Sequence, residues 1–418
     1  MKALYNFGIF LYGLSIRFAS IANKKARLWI SGRKNLFAEL QGSLAQHDTP
    51  IIWIHCASLG EFEQGRPLIE KIKSKSSSIR ILLTFFSPSG YEVRKKYAGA
   101  DYVFYMPLDT ASNAKKFVEI VNPSMAIFVK YEFWLNHLEE LTRRNIPHFL
   151  ISAIFREDQI FFKSFGDIFK RALQQYSHVF TQDEKSFSLL KSSNLQHISI
   201  AGDTRFDRVA EIASTSKDIL IAAAFSGKSS KIIVAGSTWS EDEDRLFPAL
   251  KKHFTEGWKL IIAPHEISAD RLISIENQLT NNGIAAGKIT RFSKASESDV
   301  SNAQVLIIDN IGMLSSLYRY GNIAYIGGGF GKSIHNTLEA AVYGIPVVFG
   351  PKYQKFNEAI GLIVCKGGFG VVSVEELEKT LNDLMTNEHH LRESGKSAGE
   401  FVQANLGATD KILSAIKF

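Results

Sequence analysis

The sequence predicts an α/β protein made of two parallel-sheet halves. Three observations carry that reading. Short β-type runs alternate with helical stretches along most of the chain, the pattern of parallel sheets. At 418 residues the chain exceeds what one ordinary core supports, so two domains are expected. The segment Ile323–Pro351 (IAYIGGGFGKSIHNTLEAAVYGIPVVFGP) reads as strand, glycine turn, helix and strand, half of a nucleotide-binding α/β domain.

In the first half the strand candidates are Ile51–His55, Ile81–Phe85, Tyr102–Tyr105, Met125–Val129, His148–Ile151 and His178–Thr181. Helical stretches separate them at Glu63–Lys73, Gly90–Lys96, Ala111–Val121 and Asn136–Arg144. In the second half the strands are Lys231–Ala235, Lys259–Ala263, Val305–Ile308, Ile323–Ile326 and Pro346–Phe349. Residues 36–207 form a first Rossmann-like domain and 231–400 a second. The polar, small-residue stretch 208–230 is the expected linker, and 401–418 a helix able to pack back on the first domain. Two Rossmann-like domains facing across a cleft describe a bilobal, GT-B-like architecture.

Composition narrows the function. Hydrophobic residues make up 45% and charged residues 22%, as in a folded globular protein. A net charge of +7 favours anionic partners: nucleotides, phospholipid head groups or nucleic acid. No zinc spacing, RNP-type motif or long Lys/Arg run is present, so nucleic acid is the weakest of these. The two cysteines, Cys56 and Cys365, lie in apolar strand-like runs and read as buried free thiols in a reducing compartment.

Residues 1–35 read as a membrane-associating segment. Ala3–Ala22 is apolar and aromatic but holds Asn6 and Arg17; Lys24, Lys25, Arg27, Arg33 and Lys34 follow around Trp29. The expectation is a monotopic anchor, with aromatic side chains in the interface and the basic cluster on anionic lipid. A helix packed on the protein's own core is the competing reading.

Candidate chemistry sits at strand ends, where open α/β folds bind ligands. In Ile51–Pro67 (IIWIHCASLGEFEQGRP) a buried strand stops before Ser58-Leu59-Gly60-Glu61, and a helix is expected near Glu63. Gly60 would give the backbone a close path aiming Glu61 into the cleft, where a carboxylate can take a proton from an attacking hydroxyl. Acidic residues also favour first helical turns for their own sake. FVKYEFWLN, Phe128–Asn136, ends another strand with Lys130, Glu132, Trp134 and Asn136, a second wall or a salt-bridged strand end.

In the second half, Gly236-Ser237-Thr238 ends a strand; small hydroxyls there bind phosphate or act as ordinary caps. Pro264-His265 and Ile311-Gly312-Met313 end two more strands. The glycines Gly327–Gly329 and Gly331 let backbone N–H groups approach a phosphate, or simply pack helix on sheet. Asn336 and Glu339, three apart, are expected on one helix face with His335, and a carboxylate there can accept from both hydroxyls of a ribose. The spacing is not GxGxxG, which disfavours a nicotinamide dehydrogenase.

At these residues the chain resembles a known family. HCASLGEFEQGRPL, KYEFWLN, AGST, DNIGMLSSLYRYGNIAYIGGGF, HNTLEAA and VFGPKYQKFNEA follow the order seen in the 3-deoxy-D-manno-octulosonic acid (Kdo) transferases. The resemblance runs to about Gly370. It implies a GT-B glycosyltransferase at the cytoplasmic face of the bacterial inner membrane, with no obligate protein partner. The reaction implied is transfer of Kdo from CMP-Kdo to a lipid A precursor (lipid IVA) in lipopolysaccharide synthesis, with inversion and without metal or cofactor. Carried over by position, Glu61 is similar to the general base. Pro264, His265, Ile311, Gly312, Met313, Asn336, Thr337, Leu338 and Glu339 resemble the CMP-contacting segments, with Ser237 and Thr238 as further candidates for the donor phosphate. Ser58, Gly60, Lys130, Glu132 and Arg205 are the candidate Kdo and acceptor contacts.

The chain departs from the family pattern at several places. Lys130 stands where Glu is usual, Leu135 replaces a proline, His265-Glu266 follow Pro264 where arginines are common, and Met313 stands where Glu is often found. Lys130 and Arg205 are then candidate cations for the Kdo carboxylate. Two alternatives remain open. One is a GT-B enzyme using a UDP- or ADP-sugar; the other is a catalytically idle membrane-bound nucleotide-binding protein.

Overall fold

A computed structural model describes residues 1–45, 49–162, 166–227 and 231–417. The chain divides into two units, Met1–Arg208 with Leu406–Phe418, and Val209–Asn405. Each is built on one seven-stranded sheet whose recorded pairings are all parallel. These are the two Rossmann-like domains of the expected α/β, GT-B class.

The first sheet has the order β3-β2-β1-β4-β5-β6-β7. Its strands are β1 Ile51–Cys56, β2 Arg80–Phe85, β3 Tyr102–Tyr105, β4 Met125–Val129, β5 His148–Ala153, β6 His178–Thr181 and β7 Ile198–Ile200. Every residue of β1 and β4 is buried, as strands covered by helices on both faces must be. One face packs Trp53, Phe117, Phe128 and Leu138; the other packs Ile54, Phe62, Ile69 and Phe85.

The second sheet has the order β10-β11-β9-β8-β12-β13-β14. Its strands are β8 Ile232–Thr238, β9 Lys259–Pro264, β10 Ile289–Arg291, β11 Val305–Ile307, β12 Ile323–Ile326, β13 Val347–Phe349 and β14 Gly368–Gly370. Edge strands β7, β10 and β14 were not expected from the sequence. Each has only three residues, interrupted by Ser199, by Thr290 and Arg291, or by Gly368 and Gly370, so no apolar run shows.

The N-terminal segment belongs to the first unit. Helix α1 (Lys2–Ala19) is followed by α2 (Lys24–Ser31), whose start Asn23 caps by accepting from the N–H groups of Lys25 and Ala26. Then come α3 (Leu36–Leu44) and α4 (Leu59–Lys75). No single described helix is long and apolar enough to cross a membrane; α1 and α2 meet that test only together, and they are bent by 120°. The protein side of α1 is tied down. Tyr5 Oη donates to Asp109 (2.5 Å), and Asn136 Nδ2 donates to Asn6 Oδ1 (2.9 Å). Its other side leaves Phe7, Phe10 and Phe18 more than half exposed, at 57%, 61% and 67%.

Several boundaries differ from expectation. The stretch read as a linker holds helices Thr204–Thr215 and Leu220–Ser226 and, from Val209, belongs to the second unit; its end, 228–230, lies outside the described residues. Of the C-terminal stretch, helix Glu388–Ala404 belongs to the second unit. Helix Ala408–Ala415 packs on the first, burying Ile412 and Leu413 among Ile69 and Ile72. Cys365 caps a helix end and is half-buried, not in a strand; Cys56 is buried, and both are free thiols.

Candidate active site

Strands β1 and β4 are neighbours in parallel register, His55 opposite Phe128, so both chains leave the sheet at one edge. That edge gathers Ser58–Glu61 beside Lys130–Glu132. Glu61 lies in the first turn of α4, which begins at Leu59 rather than near Glu63. Gly60 is therefore helical, and a Cβ there would meet nothing closer than Ser58 Oγ at 3.8 Å. The expected close backbone path through Gly60 is not what aims Glu61. Ser58 does so instead, its hydroxyl donating to Glu61 Oε2.

Lys130 follows β4 with φ +78°, a left-handed conformation that costs a non-glycine residue about 1–3 kcal/mol. Its Nζ lies 3.8 Å from Glu61 Oε1. Glu132 is buried, accepts from the Trp134 indole N–H, and faces His55 Nε2 at 3.7 Å. Burial, and secondarily the charge of Glu61, pushes the Glu132 carboxyl up to about 8. His55 is fully buried, which holds its imidazole neutral, with the charges of His137 and Arg33 adding to the effect. The edge thus pairs one carboxyl that keeps its proton at neutral pH with a second beside a lysine, a division that assigns acid and base roles elsewhere in enzymology.

Behind this pair stands a buried polar cluster. Asp109 accepts from Tyr5 Oη and from the backbone N–H groups of Asn136 and His137 (both 3.1 Å), and its carboxylate meets His137 Nδ1 at 2.5 Å. Burial alone would raise its pKa, yet the hydrogen bond and charge of His137 hold it below the usual carboxylate range. Asp109 therefore fixes the start of helix Leu135–Arg143, immediately after Trp134. Arg205 is placed differently from expectation: its guanidinium is bound to Asp203 at 2.9 and 2.6 Å, which commits charge meant for a substrate carboxylate.

In the second unit the order β9-β8-β12 brings three strand ends together. Ser237 has φ +54° at a register shift, and Thr238 pairs with Pro264. Thr238 is buried and its hydroxyl donates to Glu243 (2.7 Å), so that proton is not available to a phosphate. The glycine turn also differs from its expected role. The N–H of Gly328 donates to buried Asp242 (2.8 Å), which occupies the place proposed for an anion. The glycines answer to crowding: a Cβ on Gly327 would lie 2.3 Å from the Ser237 carbonyl oxygen, and one on Gly329 would lie 2.6 Å from Gly350.

The helix after that turn is only Leu338–Ala341, with Thr337 as its cap, so His335 and Asn336 precede it. Asn336 still meets Glu339, not by sharing a helix face but by a cap-like bend. Its Oδ1 accepts from the Leu338 N–H (3.1 Å) and its Nδ2 donates to Glu339 Oε1 (3.0 Å). Thr337 and Leu338 are fully buried, and the Thr337 hydroxyl has no hydrogen-bond partner among the described residues. Ile311 is 88% exposed beside Gly312, whose φ of +103° needs glycine, and Met313 starts the next helix. His265, at the end of β9, is exposed.

Sequence reasoning named His265 and His335 at this edge but missed Trp239, which joins them. The three rings form a stack, with ring centroids 4.4 and 4.8 Å apart, and the Trp239 indole N–H donates to His335 Nε2 (3.3 Å). Burial, then His265, lowers the pKa of His335. The available signal was an aromatic residue directly after Ser237-Thr238. In the first unit the missed residues are His55, fully buried on β1, and Asp109. Among the described residues no trio of His, Cys, Asp or Glu side chains is placed to hold a metal ion.

Residues 27–208 match the family described as 3-deoxy-D-manno-octulosonic-acid transferase (kdotransferase). The 3-deoxy-D-manno-octulosonic acid transferase of Aquifex aeolicus is 28% identical over 352 residues, 83% of this chain and 89% of that protein. That of Chlamydia pneumoniae is 27% identical over 383 residues, 88% of this chain and 85% of that protein. Among solved structures, UDP-GlcNAc 2-epimerase from Neisseria meningitidis bound to UDP-GlcNAc has a TM-score of 0.62 at 15% identity. It covers 88% of this chain and 99% of that one, a likeness of fold.

Proposed function

We propose, for a chain that belongs with the Kdo transferases and is a glycosyltransferase, that it moves Kdo from CMP-Kdo to lipid IVA, a lipid A precursor, with inversion and without metal or cofactor. The observation that carries the reading is the pair of unlike carboxyl groups at one sheet edge: Glu61 beside Lys130, and Glu132 buried with its proton.

In this reading Glu61 takes the proton of a lipid sugar hydroxyl while that oxygen bonds to the anomeric carbon of Kdo. The bond from that carbon to the CMP phosphate breaks on the opposite side, and the electron pair leaves with CMP. One displacement inverts the anomeric centre. Lys130 is the better candidate for the Kdo carboxylate, since Arg205 already pairs with Asp203. Keeping Glu132 neutral lowers the cost of a second anion at this edge. The cytidylate would lie at the strand ends of the second unit, its ribose hydroxyls on Glu339, which Asn336 orients. The stacked Trp239, His265 and His335 and the exposed Ile311 give that edge apolar surface for a nucleotide. The exposed aromatic side of α1 suits residence at the cytoplasmic face of the inner membrane, where the acceptor's acyl chains are held.

The test is incubation with freshly generated CMP-Kdo and a tetraacylated lipid A precursor, followed by mass spectrometry of the lipid. The expected product is the precursor plus Kdo. CMP should compete with the donor better than UMP or ADP. CMP binding without any lipid product would instead indicate an idle nucleotide-binding protein.

A further inference from the structure

We propose that Tyr12, Phe86 and Trp134 form a platform for a pyranose ring of the acceptor glycolipid. The inference rests on the reading above and adds where the acceptor's sugar lies.

The three rings form a continuous row from α1 to the carboxyl pair. Trp134 and Phe86 centroids are 4.6 Å apart, and Phe86 stacks on Tyr12 at 5.9 Å with 28° between planes. At one end the Trp134 N–H donates to Glu132. At the other, Tyr12 sits on the helix whose outer side carries the exposed apolar residues and is itself 42% exposed. Phe86 and Trp134 are half-buried. A row of rings that served packing alone would be closed over, as Trp29 beside it is.

The platform has a rigid underside. The Arg33 guanidinium lies 3.9 Å from the Trp29 ring centroid, 4.5 Å from that of Tyr105 and 5.1 Å from that of Phe86. It donates to the backbone carbonyls of Met106, Trp29 and Phe86 at 2.8, 3.0 and 2.7 Å. A half-buried cation held by carbonyls and ring faces fixes Phe86 and Trp29 in place. Aromatic faces are apolar and electron-rich, and the C–H face of a sugar ring, with its slight positive charge, packs on them. Chain-bearing amphiphiles offer α1 the same apolar contact; only one carrying a sugar also fills the rings beside Glu132.

The test uses the full chain and a diglucosamine glycolipid in detergent micelles without donor, followed by intrinsic tryptophan fluorescence. A phospholipid of equal acyl length is the control. The expected result is a saturable change with the glycolipid and none with the phospholipid. Phe86→Ala should weaken it about tenfold, a loss typical of one aromatic stack, and raise the KM for lipid by a similar factor with kcat little changed. Phe86→Tyr should restore both. Tyr12→Ala, on the exposed helix, tests the same point should Phe86→Ala fold poorly, with a loss of about threefold. Equal responses to both lipids, or unchanged affinity and KM in Phe86→Ala and Tyr12→Ala, would overturn the platform. Sugar-dependent binding lost in these variants, without any Kdo transfer, would uphold the platform and reject the transfer reaction.

Discussion

The strand-end edges of the two units spend their polar groups in opposite ways. In the second unit the candidate groups largely satisfy one another: Gly328 N–H on Asp242, Thr238 on Glu243, Asn336 on Glu339. Its shape comes from backbone crowding among glycines and from stacked rings. In the first unit, groups are held against their own preference. Glu132 keeps a proton in a buried site, His55 Nε2 has no hydrogen-bond partner among the described residues, and Lys130, like Ser237 in the second unit, adopts a left-handed backbone. Such unrelieved cost collects where chemistry is done, whereas satisfied, close-packed edges suit binding.

The largest expected effect on stability comes from the support of the first edge. Asp109→Ala removes the acceptor for four donors and leaves His137 buried without its partner, so it should cost about 3–5 kcal/mol in denaturant unfolding. A loss below about 1 kcal/mol would mean the first edge is not held under tension. In the second unit, Gly327→Ala forces a methyl against the Ser237 carbonyl and should cost about 1–3 kcal/mol. An unaffected protein would show that crowding does not shape that edge.

Glu132 sharpens the contrast through pH. Its carboxyl rises from 4.5 to about 8 on folding, so the folded state binds the proton more tightly. The contribution is fully present below 4.5 and is lost as pH rises through about 8. The slope is up to about 1.4 kcal/mol per pH unit in that window. Glu132→Gln should flatten the slope in urea titrations across that range; an unchanged slope would remove the proton from this residue. The smallest effect belongs to Trp239→Phe, which shrinks the ring stacked on His265 and removes the N–H donated to His335. It should cost about 0.5–1.5 kcal/mol, read as a small fall in Tm.

The sequence showed the architecture where runs were long and apolar. β1 and β4, buried throughout, were visible, and so was the position of Glu61 and Glu132 at strand ends. That the two strands are neighbours, and so bring both carboxyls to one edge, shows only in the sheet order. Three-residue edge strands such as Ile198–Ile200 carry no comparable pattern. The glycine turn misled for a physical reason. A glycine that approaches a phosphate and one that approaches a neighbouring backbone look identical in sequence. Only the fold shows Ser237 pressed against Gly327 and Asp242 seated on the Gly328 N–H. Likewise the Ser58 hydroxyl, not the freedom of Gly60, orients Glu61, a contact set by where α4 begins.

The central claim is that Glu61 removes the proton in sugar transfer. The direct measurement is Kdo transfer by Glu61→Gln, with CMP binding and Tm recorded on the same preparation. The account predicts transfer reduced by about a hundredfold or more, as for loss of a general base, with folding and CMP binding retained. Transfer within a few-fold of the unaltered protein would contradict it.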